Sequence, residues 1–319
     1  MRLQNNGSMR SHAAAAVTSV TLRPLTAVIP TNRTGVRFSR RVVATSLAVV
    51  SPPLRDSHIV RVQRPGVRGE WVRGPGAVRD DAVILYVHGS GYAICSARTH
   101  RGIVTRLSAT TGLPVFSCDY RLAPSHRFPC AADDVRAAYD WLLAEGHDPA
   151  RIVLAGDSAG GHLAVDLTLE LIRERRVPPA ALTLFSPLLD TSFSAALQRE
   201  RLRRDPMISA ARAARLVGLY TADHDPSTPR LRLSFDGLPG FPPTLIQAGG
   251  REMLAADAIE LDRRLRAAGA ACELEIWPGQ MHVFQALNRV VPEAGRALRR
   301  AGGFLVDQLA DRPALAKEA

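Results

Sequence analysis

The sequence predicts an α/β fold in which helices cover both faces of a mostly parallel central sheet. From residue 80 onward, short apolar runs alternate with longer helical stretches, and strands that alternate with helices pair in parallel through crossover connections. The apolar runs are nearly continuous, as expected of strands that are buried on both faces. At 319 residues the chain is also long enough for one large domain with a sizeable core.

The predicted elements follow one another in regular order. The strands of this region are residues 83–87, 114–118, 152–155, 182–186, 244–247 and 274–277. The helices are residues 98–110, 131–144, 163–175, 254–268 and 292–309. Upstream, residues 59–62 and 70–73 alternate enough to form a strand pair joined across Pro65 and Gly66. Together these segments predict a sheet of about eight strands.

Two segments depart from this alternation of strands and helices. Residues 1–55 are a basic, partly apolar leader in which 17–29 and 36–50 have the pattern of amphipathic helices. Packing of these helices on the parent domain is the preferred interpretation over membrane adhesion. Residues 190–240 interrupt the strand–helix alternation and are rich in Arg, Pro and Ala. We therefore predict a main domain, residues 56–319, whose insertion is the candidate for a lid.

The net charge of +11 is confined to one part of the chain. Residues 1–79 hold thirteen arginines and only two acidic residues, so the remainder is neutral overall. Lys317 is the only lysine. Neither interleaved aromatic residues nor a nucleic-acid-binding signature accompanies the arginines. The charge therefore does not predict nucleic acid as a partner.

The cysteines and the first residues bear on the cellular compartment. The four cysteines stand far apart, without a C-x-x-C pair, at positions 95, 118, 130 and 272. Because metal and redox sites need clustered ligands, free thiols in a reducing compartment are the preferred interpretation. Residues 13–17 resemble the core of a signal peptide only until Thr18 and Ser19 interrupt the apolar run. We therefore expect a cytoplasmic protein without a metal.

The first chemical motif lies between a predicted strand and a predicted helix. Residues 156–160, GDSAG, match G-x-S-x-G, in which flanking glycines permit a sharp turn with the serine at its tip. Ser158 then lies at a helix N-terminus, where unpaired backbone N–H groups favour negative charge. For this motif alone, a glycine-rich turn with an incidental serine is the alternative.

A second motif, residues 88–92 (HGSGY), follows the strand at 83–87. Small residues at the carboxyl end of a parallel strand let backbone N–H groups point into the crevice where such sheets bind ligands. With the N–H of Ala159, these donors can hold the oxyanion of a tetrahedral intermediate. The two motifs together predict a nucleophile and an oxyanion hole, although residues 88–92 alone are also compatible with a simple tight turn.

These motifs, with residues 119–124 (DYRLAP) and 277–284 (WPGQMHVF), resemble the hormone-sensitive-lipase family of α/β-hydrolases, which includes bacterial esterases. The resemblance runs from about Gly66 to the last helix. It implies an α/β-hydrolase fold and a helical cap built from residues 1–55 and about 190–235. It also implies an oxyanion hole formed by the backbone amides of Gly89, Ser90 and Ala159.

The sequence departs from the family pattern at two positions. Ser90 replaces the middle glycine of His-Gly-Gly-Gly, which keeps the N–H but adds a Cβ. If the backbone there needs positive φ, the added Cβ can distort the hole, and loss of one donor costs on the order of 3 kcal/mol. Ser125 stands where the family usually has Glu. Asp119 and Arg121 are interpreted as structural pairing partners, since Arg cannot act as a base.

A histidine must remove the proton of the serine hydroxyl. His282 follows the last predicted strand at its carboxyl end, and nucleophile, acid, histidine is the chain order of this fold. Family members commonly place an acid, usually Asp, thirty positions before the histidine; here that position is Glu252. A carboxylate orients the imidazole and stabilises its charged form. Asp257, inside the following helix, is the alternative acid.

The sequence thus predicts a serine carboxylesterase in which Ser158, Glu252 and His282 are catalytic. It would hydrolyse small to medium acyl esters through an acyl-enzyme and need no cofactor. A lactone, amide or lipid hydrolase of the same fold is one alternative. The other is a binding protein that has kept the fold without the chemistry. The sequence does not indicate an oligomeric state.

Overall fold

A sheet of mostly parallel strands forms the centre of the structure, a computed structural model that describes residues 2–3, 7–222, 224–225 and 227–310. The remaining positions of the predicted leader, insertion and main domain lie outside the described residues. The described strands are β1 (Arg2–Leu3), β2 (His58–Arg64), β3 (Val67–Arg73), β4 (Val83–Val87), β5 (Val115–Cys118), β6 (Ile152–Asp157), β7 (Leu182–Phe185), β8 (Thr244–Gly249) and β9 (Cys272–Trp277).

All nine described strands belong to one sheet, in the order β1-β9-β8-β7-β6-β4-β5-β3-β2. Pairing is parallel from β1 to β5, whereas β3 pairs antiparallel with both β5 and β2. The predicted mostly parallel sheet is confirmed, and β1 is the one strand that was not expected. Since β4, β6, β8 and β9 are parallel, their carboxyl ends meet at one edge.

Helices cover both faces of this sheet, as predicted. The described α-helices are α1 (Met9–Val20), α2 (Leu22–Val28), α3 (Arg33–Val50), α4 (Arg101–Thr111), α5 (Cys130–Ala144), α6 (Ala159–Arg173), α7 (Ser194–Leu202), α8 (Ala210–Thr221), α9 (Ala255–Ala267) and α10 (Pro292–Ala310). Helices α4 and α10 bury residues such as Ile103 and Leu305 with Ile84 of β4. Helices α5, α6 and α9 pack with Leu85 on the other face, because successive strand residues point to opposite faces.

The N-terminal helices differ in their bounds from the prediction of one helix over residues 17–29. Helix α1 begins earlier because the Ser8 side chain accepts the Ser11 N–H at 3.2 Å and so caps the helix. The chain then starts a new helix at residue 22. In a continuous helix, Pro24 could not donate a hydrogen bond to the carbonyl of Val20, and its ring would collide with that carbonyl. The helix predicted over 36–50 is present as α3.

Arginine side chains join the N-terminal helices to the insertion. Arg23 of α2 forms an ion pair with Glu200 of α7 at 2.8 Å. Arg212 of α8 donates to the backbone carbonyls of Thr26 and Ile29. Residues 7–55 and α7–α8 therefore contact each other directly. Within the part of the chain that the structure describes, no helix has both the length and the apolar character to cross a bilayer.

Candidate active site

Ser158 stands at the sharp turn between β6 and α6. Its backbone has φ 51° and ψ −120°, a strained conformation for a residue with a side chain. Gly160 lets the start of α6 lie close to the end of β4, since a Cβ on Gly160 would lie 2.0 Å from the carbonyl oxygen of Val87. The turn thus places the hydroxyl at the carboxyl edge of the sheet and at the N-terminus of α6.

The three predicted catalytic side chains meet at this edge. His282 Nε2 lies 3.1 Å from Ser158 Oγ, and His282 Nδ1 lies 2.5 Å from Glu252 Oε2. In this arrangement the imidazole donates from Nδ1 to the carboxylate and accepts the serine proton at Nε2. The acid follows β8 and the histidine follows β9, which are neighbouring strands. The geometry is that of a nucleophile, its base and an orienting carboxylate.

Glu252 is fixed by Ser186, a residue that the sequence analysis missed. The Ser186 hydroxyl donates to Glu252 Oε1 at 2.8 Å and accepts the N–H of Val283 at 3.0 Å. The N–H of Gly249 also donates to Glu252. Ser186 therefore links the acid to the loop that carries His282. Its position directly after β7 offered no signal beyond a strand end.

The alternative acid, Asp257, lies elsewhere. It is buried, and its carboxylate accepts the N–H groups of Leu189 at 2.8 Å and Asp190 at 3.1 Å. Burial raises its pKa to about 7 despite these hydrogen bonds. Asp257 thus holds the chain after β7, whereas Glu252 is the carboxylate in contact with His282.

The Glu252 carboxylate also makes His282 a stronger base. Burial by itself lowers the pKa of His282, but the charge of Glu252 and its hydrogen bond outweigh burial and raise the pKa above the ordinary histidine value. The imidazole consequently binds a proton more readily than an exposed histidine does. That property assists removal of the Ser158 proton.

The turn at residues 88–91 corrects one predicted oxyanion donor. The N–H of Gly89 donates to Asp157 Oδ1 at 3.1 Å, so this amide is already committed to a carboxylate. Among the described residues, none accepts a hydrogen bond from the amides of Ser90, Gly91 or Ala159. These three N–H groups are the donors that the structure leaves for an oxyanion. Gly91 lies in the recognised motif but was not assigned this role.

Ser90 adopts the backbone conformation that the sequence analysis identified as unfavourable. Its φ is 81°, in the left-handed region that favours glycine. The side chain hydroxyl forms a hydrogen bond with the Sγ of the buried Cys95. The added Cβ is therefore accommodated by local strain together with a new side-chain contact.

Asp157 is the centre of a second buried hydrogen-bond network. Tyr86 donates to Asp157 Oδ1 at 2.7 Å, and His100 Nε2 lies 3.3 Å from Asp157 Oδ2. Burial raises the pKa of Asp157, but the charge of His100 and the hydrogen bonds outweigh it and lower the pKa below its usual value. His100 was not predicted to lie here, because nothing in its sequence position indicates a contact with Asp157.

The other motif residues have supporting roles. His88 stacks on Tyr120 with ring centroids 4.2 Å apart, and the Tyr120 hydroxyl donates to the His88 carbonyl at 2.8 Å. His88 therefore stabilises the turn. Arg121 pairs with Asp134 at 2.8 Å. It does not pair with Asp119, whose carboxylate instead accepts the N–H of Ala97.

The insertion lies directly against this site. A Cβ on Gly91 would lie 3.0 Å from Leu216 of α8. Arg199 of α7 donates to the backbone carbonyls of Glu252 at 2.8 Å and Gly250 at 2.9 Å. Among the described residues, no group of three or more His, Cys, Asp or Glu side chains is placed to hold a metal ion.

Comparison with known proteins agrees with this geometry. Residues 84–286 match the family described as alpha/beta hydrolase fold. The chain is 34% identical to the carboxylesterase/phospholipase LipF of Mycobacterium tuberculosis, covering 97% of this chain and 84% of LipF. It is 38% identical to an acetyl-hydrolase of Streptomyces hygroscopicus, covering 74% of this chain and 78% of that enzyme.

Solved structures of esterases share this fold over nearly the whole chain. A crystal structure of an esterase from the bacterial hormone-sensitive lipase family superposes with a TM-score of 0.86 at 36% identity. The match covers 95% of this chain and 99% of that esterase. The chain therefore belongs to the hormone-sensitive-lipase family of α/β-hydrolases.

Proposed function

We propose that this chain is a serine carboxylesterase that hydrolyses small to medium acyl esters through an acyl-enzyme. The observation that carries the proposal is the continuous path of hydrogen bonds from Ser158 through His282 to Glu252. A serine hydroxyl becomes an effective nucleophile only with such a base, and the base works best when a carboxylate orients it. The names of its relatives, a carboxylesterase and an acetyl-hydrolase, point to the same chemistry.

The reaction follows from the positions of these atoms. Ser158 Oγ attacks the ester carbonyl carbon while its proton passes to His282 Nε2, and the carbonyl oxygen becomes an oxyanion facing the amides of Ser90, Gly91 and Ala159. The imidazolium then gives its proton to the departing alcohol. Water, deprotonated by the same imidazole, attacks the acyl-enzyme, and Ser158 recovers its proton as the carboxylic acid leaves. Each step uses only side chains and amides of this chain.

Residues 1–55 and about 190–235 form, in this proposal, the cap that shapes the substrate pocket. The contacts of α7 with the acid loop and of α8 with Gly91 support this role. Ser158 is only 8% exposed, and the His282 side chain only 14%. Because so little of the nucleophile and its base is open to solvent, we expect small and medium acyl groups to be preferred. The four free thiols are consistent with a cytoplasmic location.

A graded substrate panel tests the proposal. The full chain and the Ser158→Ala variant are assayed with p-nitrophenyl esters of increasing acyl length, with a lactone and with an amide. We expect turnover of the short and medium esters, and a loss of at least about a thousandfold in Ser158→Ala with an unchanged urea midpoint. Undiminished hydrolysis by Ser158→Ala would overturn the assignment.

A further inference from the structure

One side of α1 is apolar and exposed. Met9, Val17 and Val20 of α1 are 89%, 59% and 75% exposed, and Val28 of α2 is 75% exposed. The exposed apolar residues of α1 recur every three or four positions and so lie along one side of the helix. We call this surface the apolar stripe: Met9, Ala13, Ala16, Val17 and Val20. The opposite side of α1 is buried against the main domain.

A basic cleft of about 270 Å³ borders the apolar stripe. It is lined by Ser19 of α1 and by Arg203, Arg204 and Arg251. Arg251 lies 2.9 Å from His12 Nδ1, and His12 and Ser19 lie two helical turns apart on the same side of α1. The cleft therefore runs along one flank of the stripe.

The cleft lining carries more positive than negative charge, with three arginines and one acidic residue. Asp205 is the acidic residue of the cleft lining, and its oxygens accept the backbone N–H groups of Met207 and Met253. Residues 1–55 contain no acidic residue at all. Exposed Arg10 follows Met9 on α1, outside the cleft. Arginine thus lies beside an exposed apolar strip, and a surface that pairs apolar side chains with basic groups can bind an anionic membrane.

We propose that the apolar stripe and the basic cleft dock the protein on an anionic phospholipid surface. Guanidinium groups bind phosphate through paired N–H donors, and the valines and Met9 gain by leaving water for the acyl boundary. A second copy of the chain would bring the same positive surface face to face with itself. A polynucleotide would leave the apolar side chains in water. An anionic bilayer satisfies both parts of the surface.

Docking goes beyond the proposed esterase activity, because the apolar stripe and the basic cleft contain none of the catalytic side chains. Its biological meaning rests on that activity, since docking would bring the site to esters that reside in lipid. The two claims are nevertheless separable. Binding is read from the Ser158→Ala chain, which cannot degrade the vesicles, and activity is read with a soluble ester.

The test is co-sedimentation of the full-length Ser158→Ala chain with sucrose-loaded vesicles. One set is phosphatidylcholine alone, and the other is phosphatidylcholine mixed with phosphatidylglycerol. We expect binding to the anionic vesicles only. This binding should be lost at about 1 M salt, where the Debye length is only about 3 Å. Adding Val17→Asp and Val20→Asp should weaken vesicle binding at least about tenfold. Adding Arg10→Gln and Arg204→Gln should weaken it on the order of tenfold.

Matched substitutions elsewhere on the surface control for general effects. Val78→Asp changes a valine that is 82% exposed before β4, and Arg61→Gln with Arg64→Gln removes two charges from β2 at the far edge of the sheet. We expect both control variants to bind vesicles like the parent chain. Equal binding to neutral vesicles, equal effects of control and test substitutions, or no binding to either set would overturn the proposal. So would a change of oligomeric state on Val20→Asp without a change in vesicle binding.

Discussion

Asp157 Oδ1 lies 3.1 Å from the backbone nitrogen of Gly89, so the residue before the nucleophile holds the turn that carries the oxyanion donors. The same carboxylate accepts from Tyr86 and contacts His100. Nucleophile and oxyanion turn are thereby fixed to one buried group. The hydrogen bonds of Asp157 therefore help to set the distance between Ser158 and the free amides.

Removing this carboxylate should lower kcat more than it raises KM. Asp157→Ala frees the Gly89 N–H and loosens the turn, and we expect kcat to fall about a hundredfold, the scale of losing one oxyanion donor. Asp157→Asn keeps an oxygen acceptor for Gly89 and should lose only about tenfold. Steady-state kinetics with p-nitrophenyl butyrate measures both. Equal kcat values for Asp157→Ala and the parent enzyme would show that the turn keeps its conformation without the carboxylate.

Activity should fall as pH decreases through the raised pKa of His282, because the imidazolium cannot accept the Ser158 proton. Glu252→Gln removes the charge that raises this pKa. The acid limb of the kcat/KM profile should therefore move to lower pH, while the plateau falls about 10³- to 10⁴-fold. Asp257→Asn, which alters another buried carboxylate, is the control and should leave the acid limb in place. An unmoved limb in Glu252→Gln would contradict the assigned pair.

Ser186 should matter through the position of Glu252 and the His282 loop. Ser186→Ala removes the hydrogen bonds to Glu252 and Val283, and we expect kcat to fall at least about tenfold, the scale of one hydrogen bond to a charged group. Thr183→Val is the matched control, because Thr183 lies on β7, just before Ser186, and its hydroxyl has no hydrogen-bond partner among the described residues. Similar kcat values for the two variants would show that Ser186 does not position Glu252 and the His282 loop.

Two substitutions at position 90 separate backbone strain from side-chain contact. Ser90→Gly and Ser90→Ala both lose the contact with Cys95, but only alanine keeps a Cβ at φ 81°. The glycine variant should therefore be more stable than the alanine variant by about 1 kcal/mol, after its greater unfolded-state entropy is counted. Urea unfolding of both proteins measures this difference. Equal stabilities would show that the turn relaxes around the Cβ.

The sheet and the grouping of Ser158, Glu252 and His282 could be predicted because their signals are local. Continuous apolar runs such as residues 83–87 mark buried strands, and the motifs around Ser158 and His282 place each group at a strand end. Glu252 was identified because members of the resembled family place the acid thirty positions before the histidine. Each of these inferences needs only neighbouring residues or a fixed order along the chain.

The supporting contacts could not be predicted, since they depend on long-range packing. His100 and Asp157 are 57 positions apart, and Ser186 and Glu252 are 66 positions apart. No periodicity connects such pairs. The Gly89 amide was misassigned for the same reason, because the sequence does not show that Asp157 turns back to accept it. The break between α1 and α2 was missed because the apolar pattern outweighed Pro24.

Covalent labelling tests the central claim most directly. The full chain is treated with a fluorophosphonate, digested and analysed by mass spectrometry, beside His282→Ala. Ser158 Oγ, activated by His282 Nε2 at 3.1 Å, should carry the adduct, and labelling should slow at least about a hundredfold in His282→Ala. An adduct on another residue, no adduct, or an equal labelling rate in the variant would contradict the account.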